Sequence, residues 1–381
     1  MSTFVNLKIF LNMQLHNTQQ EWEKYCEREL AIITPLLKKL GFELEDDQPH
    51  LGGERYLMQA VTTASGKKLI LLGRRKINGQ RVVIKATDDP AGMNELKHER
   101  ECRQILARIN FAYQTFHSPE ELFFGRRNGH MFSIQRFIDQ EIPFLSRPLA
   151  EQFALALESF KAQESAHATT YGHEKLVRNA FGTMSASDYL AAFAKFKEDI
   201  LRKLPTKTAT HELLDETSKQ LEIDRETIEQ YCGFLTHTDF VPHNIRINNG
   251  NIYLLDHSSL RFGNKYEGWA RFVNFMTLHN PPLADAMSEY IRLNRTPEES
   301  LSLKLMRIYR LGEIIWYYAN TIQRSSGNLR ILNEERVHFW TQVLEAVLRD
   351  EKIPTEIVDN YRIRRDSLRS EDEKLRQKDL H

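Results

Sequence analysis

One short segment places three polar side chains between two apolar runs, and this arrangement constrains the fold more than any other part of the chain. His237, Asp239 and Asn244 follow the frame H-x-D-Φ-x-x-x-N, in which Φ is an apolar residue. Asp256 follows shortly after and ends the apolar run Ile252–Leu255. The run predicts a short buried strand that delivers Asp256 rigidly to the loop carrying the other three residues.

These residue types suit the transfer of a phosphoryl group. That reaction needs positioning and charge neutralisation more than covalent help from the protein. The carboxylate of Asp239 would accept or orient the proton of the attacking hydroxyl. The side-chain oxygens of Asn244 and Asp256 would hold magnesium against the phosphates. The alternative is that all three are ordinary turn residues between two strands.

An upstream segment favours the phosphotransfer interpretation. The run Arg81-Val-Val-Ile-Lys85 matches V-A-I-K, in which a strand carries a lysine to the phosphates of a nucleotide. A helix predicted over 93–109 follows and carries Glu99 and Glu101, either of which is a candidate to pair with the lysine. The two acids lie about 200° apart on a helix, so only one of them faces Lys85.

With these residues, the chain resembles the aminoglycoside phosphotransferase and choline kinase branch of the protein-kinase-like fold. The catalytic loop of that branch typically reads His-Gly-Asp-Leu-x-x-x-Asn, and here it reads His237-Thr-Asp-Phe-Val-Pro-His-Asn244. The metal segment, Leu254-Leu-Asp-His-Ser258, departs from Asp-Phe-Gly as that branch does. The resemblance runs from about Tyr56 to about Met276. It implies ATP and Mg²⁺ as cofactors, with Asp239 as the catalytic residue.

The resemblance also implies a set of nucleotide contacts. The branch has a Glu-x-Glu whose second acid usually pairs with the lysine, which favours Glu101 and keeps Glu99 in reserve. Lys85 would hold the α- and β-phosphates. In the turn before the second strand, backbone N–H groups at Ser65 and Gly66 are candidates to meet phosphate oxygens, and the alternative is an ordinary polar hairpin turn.

The remaining pattern predicts an α+β fold with two lobes. Five strands and one helix form a small N-terminal lobe, with strands over 56–63, 68–74, 80–86, 122–124 and 130–138. The last strand leads into the hinge, where backbone groups near Gln135 and Phe137 would meet the adenine edge. A large, mainly helical lobe follows and contains the catalytic loop.

We expect four parts along the chain. They are an N-terminal helical extension at 1–50, the small lobe at 51–140, the large lobe at 141–361 and a charged tail at 362–381. A helix predicted over 20–40 belongs to the extension. The sequence leaves open whether this helix packs on the small lobe or stands apart from it.

Composition excludes several other classes of function. The 381 residues include 52 Lys+Arg and 52 Asp+Glu, and a net charge of zero argues against a nucleic-acid partner. Three scattered cysteines indicate a reducing compartment, which we take as the cytoplasm. The first sixteen residues lack the features of a signal peptide, and no window of eighteen apolar residues predicts a membrane span.

Four basic side chains near the loop are secondary candidates. His243 and His257 flank Asn244 and Asp256, and local hydrogen bonding is the expected role of both. Arg246 and Arg261 either meet phosphate or are solvated.

Two other functions remain open. A protein kinase would usually carry Ala-Pro-Glu after the metal aspartate, and no such tripeptide follows Asp256. A pseudokinase would bind nucleotide or a partner without transfer, but all five polar positions of the site are filled here.

The expected partner is a small molecule with a hydroxyl group. A polycationic aminoglycoside would need an acidic cleft. Residues 187–232 hold ten acidic against seven basic side chains, and residues 261–310 hold five against eight. We therefore expect a neutral or anionic hydroxylated metabolite, such as a sugar, as the phosphate acceptor.

Overall fold

The computed structural model describes residues 22–49, 51, 66–108, 116–169, 179–371 and 373–374. Within these ranges the chain forms a small lobe built on a sheet and a larger, mainly helical lobe, so the predicted two-lobed fold is confirmed. The predicted strand over 56–63 lies outside the described residues. None of the described helices combines the length and the apolar character needed to cross a bilayer.

The strands are short, and five of the ten within the described residues lie close to predicted positions. They are β1 (Phe42–Leu44), β2 (Leu69–Arg75), β3 (Arg81–Thr87), β4 (Phe116–His117), β5 (Glu121–Arg127), β6 (His130–Arg136), β7 (Phe234–His237), β8 (Ile245–Asn248), β9 (Asn251–Leu254) and β10 (Leu260–Gly263). The strands β1, β4, β7, β8 and β10 were not predicted from the sequence.

The small lobe contains an antiparallel sheet in the order β1-β2-β3-β6-β5. Successive side chains of a strand point to opposite faces. In β3 the buried residues Val82, Ile84 and Ala86 alternate with the less buried Val83 and Lys85. Lys85 therefore projects from the face opposite the apolar core of this lobe.

The N-terminal helix α1 (22–39) covers that apolar face. Trp22, Ile33 and Leu37 are buried in one cluster with Ile84 and Phe132 of the sheet. Burial of these side chains against the sheet stabilises the lobe, at about 1.5–3 kcal/mol for each large apolar residue. The helix packs on the small lobe, which resolves the choice that the sequence left open.

The helices of the rest of the chain form the second layer of the small lobe and most of the large lobe. They are α2 (Pro90–Arg108), α3 (Leu149–Thr169), α4 (Ala186–Lys203), α5 (Thr208–Ile223), α6 (Arg225–Gln230), α7 (Glu267–His279), α8 (Pro281–Asn294), α9 (Pro297–Ile322), α10 (Gly327–Leu348) and α11 (Thr355–Leu368). Helix α11 extends into the region predicted as a charged tail.

The core of the large lobe surrounds the first turns of α7. Trp269 stacks on Phe160 of α3 with ring centroids 4.1 Å apart, and Phe272 meets the same ring edge-on. Two small sheets lie against this core, β7 with β10 and β4-β9-β8. The loop between β7 and β8 carries Asp239 and Asn244, and the loop between β9 and β10 carries Asp256.

Candidate active site

The loop between β7 and β8 brings the predicted base and the predicted amide ligand together. A 3-10 turn over Pro242–Asn244 reverses the chain and aims the Asn244 side chain back along the loop. Its Nδ2 donates to the Asp239 carbonyl oxygen at 2.8 Å and to the Asp239 carboxylate Oδ2 at 3.0 Å. The amide nitrogen is thereby fixed on Asp239, and the amide oxygen remains available as a metal ligand.

His237 connects the two halves of the site. Its side chain is fully buried, and its Nε2 lies 3.1 Å from the carbonyl oxygens of both Leu255 and Asp256. Carbonyl oxygens only accept hydrogen bonds, so Nε2 carries the proton and donates. His237 therefore holds the backbone of the predicted metal segment at a fixed distance from the catalytic loop.

Asp256 occupies an unusual backbone conformation at the end of the segment after β9. Its φ of 53° is in the left-handed region, which Asp tolerates better than most residues. Its Oδ1 accepts from Ser258 Oγ at 2.6 Å and its Oδ2 from Ser259 Oγ at 2.9 Å. Burial alone would raise the pKa of Asp256, but Lys85 and the two hydroxyls lower it, so the group is an anion near neutral pH.

Lys85 pairs with Glu99, and the prediction that it pairs with Glu101 is wrong. Lys85 Nζ lies 2.7 Å from each carboxylate oxygen of Glu99. The buried face of α2 includes Leu96, Glu99 and Cys102, at intervals of three residues, so Glu99 points inward. Glu101 is exposed on another face of the same helix.

Lys85 of the small lobe and Asp256 of the large lobe interact electrostatically. Burial would lower the pKa of Lys85, but the negative charges of Glu99 and Asp256 raise it, and the net shift is upward. Lys85 is therefore a firmly charged ammonium group that interacts with two carboxylates. A cation in this position suits the phosphates of a nucleotide.

His257 has the local hydrogen-bonding role that was expected. Its Nε2 lies 2.9 Å from Ser118 Oγ, just after β4. Burial lowers the pKa of His257 to about 3, so the ring is neutral at ordinary pH. The contact fixes the segment after Asp256 and does not present the ring to a ligand.

Arg261 is not solvated. Its Nε donates at 3.0 Å to Oε2 of the fully buried Glu267, which also accepts from the Tyr189 hydroxyl at 2.7 Å. Burial would raise the pKa of Glu267, but Arg261 and Arg310 lower it. This ion network fixes β10 to the start of α7, so Arg261 is a structural residue.

A missed residue, Arg271, contacts the predicted base directly. It lies on α7, and its Nε donates to Asp239 Oδ1 at 2.9 Å. Asp239 is thus held between Asn244 and Arg271. The sequence gives no signal for this contact, because the two residues are 32 positions apart and no motif relates them.

The predicted nucleotide loop is described only in part, since Ser65 lies outside the described residues. Gly66 has a φ of 69° and lies against the start of α2. A Cβ added there would approach the Gly92 nitrogen to 2.2 Å, so only glycine fits. Its contact with phosphate remains a prediction.

The hinge offers fewer free backbone groups than expected. The Phe137 N–H donates to the Arg81 carbonyl at 3.0 Å, so it is not available to a nucleobase. Gln135 lies in β6 opposite Val83 and is largely buried, with its Nε2 directed at Ser133 Oγ at 3.4 Å. Both residues lie at the end of the strand that leads to the large lobe.

With this geometry described, comparison with known proteins identifies the fold. No protein-family model matches the chain, and no curated protein matches its sequence. Several solved structures match in fold. A thermostable mutant of aminoglycoside phosphotransferase APH(4)-Ia has 16% identity, covering 78% of this chain and 98% of its own, with a TM-score of 0.53. The chain shares the fold of this phosphotransferase.

Two further structures match over similar lengths. Macrolide 2′-phosphotransferase type I has 12% identity, covering 81% of this chain and 97% of its own, with a TM-score of 0.56. The GDP complex of a mutant aminoglycoside 2′-phosphotransferase-IIIa has 13% identity, covering 78% and 97%, with a TM-score of 0.54. These matches bear out the resemblance noted in the sequence at the level of the fold.

Proposed function

We propose that this protein transfers the γ-phosphoryl group of ATP to a hydroxyl group of a small molecule. The observation that carries the proposal is a chain of contacts that links Asp239, Asn244, Asp256 and Lys85. Asn244 donates to Asp239, and His237 of the same loop region holds the backbone of Asp256. Lys85 is paired with Glu99 and interacts electrostatically with Asp256. Each group is of the chemical type that phosphoryl transfer requires.

The proposed reaction is a direct displacement. The acceptor oxygen bonds to the γ-phosphorus, the bond to the β–γ bridging oxygen breaks, and the acceptor proton passes to the Asp239 carboxylate. Lys85 neutralises charge on the α- and β-phosphates, and Glu99 orients Lys85. Because Asp239 is held by Asn244 and Arg271, it faces the acceptor in a fixed orientation.

The donor set fits magnesium. The Asn244 amide oxygen and the anionic Asp256 carboxylate are hard oxygen ligands, and Mg²⁺ binds through such ligands together with phosphate oxygens. Bound there, the ion would neutralise charge on the transferring group. We propose a neutral or anionic hydroxylated metabolite as the acceptor, because Arg271 and not an acid lies beside Asp239.

The proposal is tested in two steps. Thermal shift with ATP, with and without Mg²⁺, measures nucleotide binding, and a coupled ADP-release assay across sugars, hydroxy acids, amino alcohols and aminoglycosides measures transfer. We expect magnesium-dependent ATP binding and turnover of at least one acceptor, lost in Asp239→Asn. Binding without any turnover would indicate a pseudokinase, and transfer to a protein substrate alone would indicate a protein kinase.

A further inference from the structure

Arg271 is only partly used by its contact with Asp239. The Nε atom donates to the carboxylate, but the two Nη atoms donate to no acceptor among the described residues. The side chain is 20% exposed, so Arg271 is partly accessible to solvent. A guanidinium fork matches a carboxylate or a phosphate, to which it donates two parallel hydrogen bonds.

A second cationic side chain, Arg307 of α9, contacts α7 about one turn after Arg271. Arg307 Nε donates to Asn274 Oδ1 at 3.0 Å, and Asn274 Nδ2 donates back to the Arg307 carbonyl at 3.1 Å. Among the described residues, no carboxylate is within ion-pair distance of Arg307. Burial lowers its pKa to about 10, so it remains charged at neutral pH. The negative charge of Asp285 offsets part of this shift, and Arg307 adds a positive charge close to α7.

The surroundings of Arg271 are aromatic and basic. Its guanidinium lies 5.9 Å from the centroid of the Phe275 ring, and this ring also contacts His243 and His279, at 5.5 and 4.1 Å between centroids. The side of Asp239 that faces α7 therefore carries the Arg271 guanidinium next to an aromatic ring. A guanidinium there repels an ammonium group and attracts an anion.

We propose that the acceptor carries an anionic group, a carboxylate or a phosphate, which Arg271 binds while the nearby hydroxyl meets Asp239. This inference rests on the proposed function. Because Arg271 Nε and Asp239 Oδ1 are 2.9 Å apart, the anionic group and the reactive hydroxyl are separated by only a few bonds. Arg271 is thus a specificity residue. When the anion is bound, the positive charge of Arg271 is shared between the anion and Asp239.

The test uses acceptors that share one skeleton and differ in charge. The ADP-release assay is run with two sets of acceptors. The first set is glycerate (both enantiomers), glycerol 3-phosphate, glycerol and serinol. The second set is gluconate, glucose 6-phosphate, glucose and glucosamine. We expect an anionic member of a set to exceed its neutral and cationic counterparts by at least about 100-fold in kcat/KM. The carboxylate and phosphate members distinguish the two possible anions.

The variants separate recognition from positioning. Arg271→Gln should raise KM for the anionic acceptor about 10- to 100-fold, the loss expected for one charge-assisted contact. Arg271→Lys should recover part of this loss, and KM for ATP should stay within threefold. The matched control is Arg292→Gln, which removes an exposed arginine of α8 that is paired with Glu289.

Three results would overturn the inference. One is equal or better turnover of glycerol, serinol, glucose or glucosamine. Another is a loss in Arg271→Gln that appears only in kcat and equally for charged and uncharged acceptors, which is the signature of a positioning residue. The third is a failure of every anionic member in an enzyme that binds MgATP. Absence of MgATP binding is a separate outcome, since it would reject the proposed function itself.

Discussion

Both carboxylate oxygens of Glu99 lie 2.7 Å from Lys85 Nζ, although the two residues belong to different layers of the small lobe. The pair fixes α2 to β3 and directs the ammonium group toward the cleft. The Glu99 side chain is only 5% exposed, so its carboxylate has lost most of its hydration. The ion pair with Lys85 is the main interaction that offsets this loss.

Replacing Glu99 should therefore cost both stability and nucleotide affinity. We expect Glu99→Gln to lower the free energy of unfolding by about 3 kcal/mol, the range for breaking a buried ion pair, and to raise KM for ATP at least about tenfold. Urea unfolding and initial rates measure the two effects. Glu101→Gln is the matched control, and an equal effect of that change would contradict the assignment of the pair.

Asp239 should be required for transfer but not for nucleotide binding. Asp239→Ala is expected to reduce turnover by about 10²- to 10⁴-fold, as for the loss of a base or orienting group, because ATP is held by Lys85 and the metal ligands. Calorimetry should give an ATP affinity within threefold of the parent. Asp215→Ala, which removes an exposed aspartate of α5, serves as the control. Turnover of Asp239→Ala within threefold of the parent would exclude the proposed role.

Asp256 and Lys85 should differ in how they affect magnesium. Asp256→Ala removes a charged ligand of a hard divalent ion, while Lys85→Met removes one cation from the phosphates. We expect Asp256→Ala to weaken magnesium-dependent ATP binding more than Lys85→Met does. Calorimetry with and without Mg²⁺ decides the point. If ATP binding by Asp256→Ala kept the parent's affinity and magnesium dependence, Asp256 would not be the metal ligand.

Glu299 at the start of α9 should govern part of the acid sensitivity. Burial alone would raise its pKa, but hydrogen bonds from Lys265 at 2.6 Å and Tyr266 at 2.7 Å lower it from 4.5 to about 2. A lowered pKa in the folded state stabilises the protein above pH 4.5, and this contribution is lost as the pH falls from 4.5 to about 2.

The urea midpoint measured at pH 6, 4.5 and 3 should therefore decrease less steeply in Glu299→Gln than in the parent. Glu226→Gln, at an exposed position of α6, should keep the parent slope. An unchanged slope in Glu299→Gln would show that this carboxyl is not linked to folding.

The sequence predicts the position of the lysine strand well, and the residues of the proposed catalytic loop follow from the same kind of local pattern. His237, Asp239 and Asn244 keep a fixed spacing, and the alternation in β3 places Lys85 opposite the apolar core. The choice of Glu101 over Glu99 was wrong because it followed the resemblance. The apolar stripe of α2 on either side of Glu99 contained the information needed for the right choice.

Contacts between distant elements could not be predicted in this way. Arg271 meets Asp239 only because the core around Trp269 sets the rotation of α7 beneath the loop. The apolar positions of α1 likewise predicted a helix but not the surface that it covers. Such contacts depend on packing across the whole lobe, and the local periodicity of the sequence does not predict them.

The packing of α1 also determines where the chain can be shortened. A fragment beginning at Tyr56, where the kinase-like pattern begins, would lack the helix that covers Leu69, Ile84 and Phe132. Those side chains would form an exposed apolar face, which favours aggregation over folding. The boundary given by motifs and the boundary of the folding unit are therefore different in this protein, and we expect expression of the small lobe to require α1.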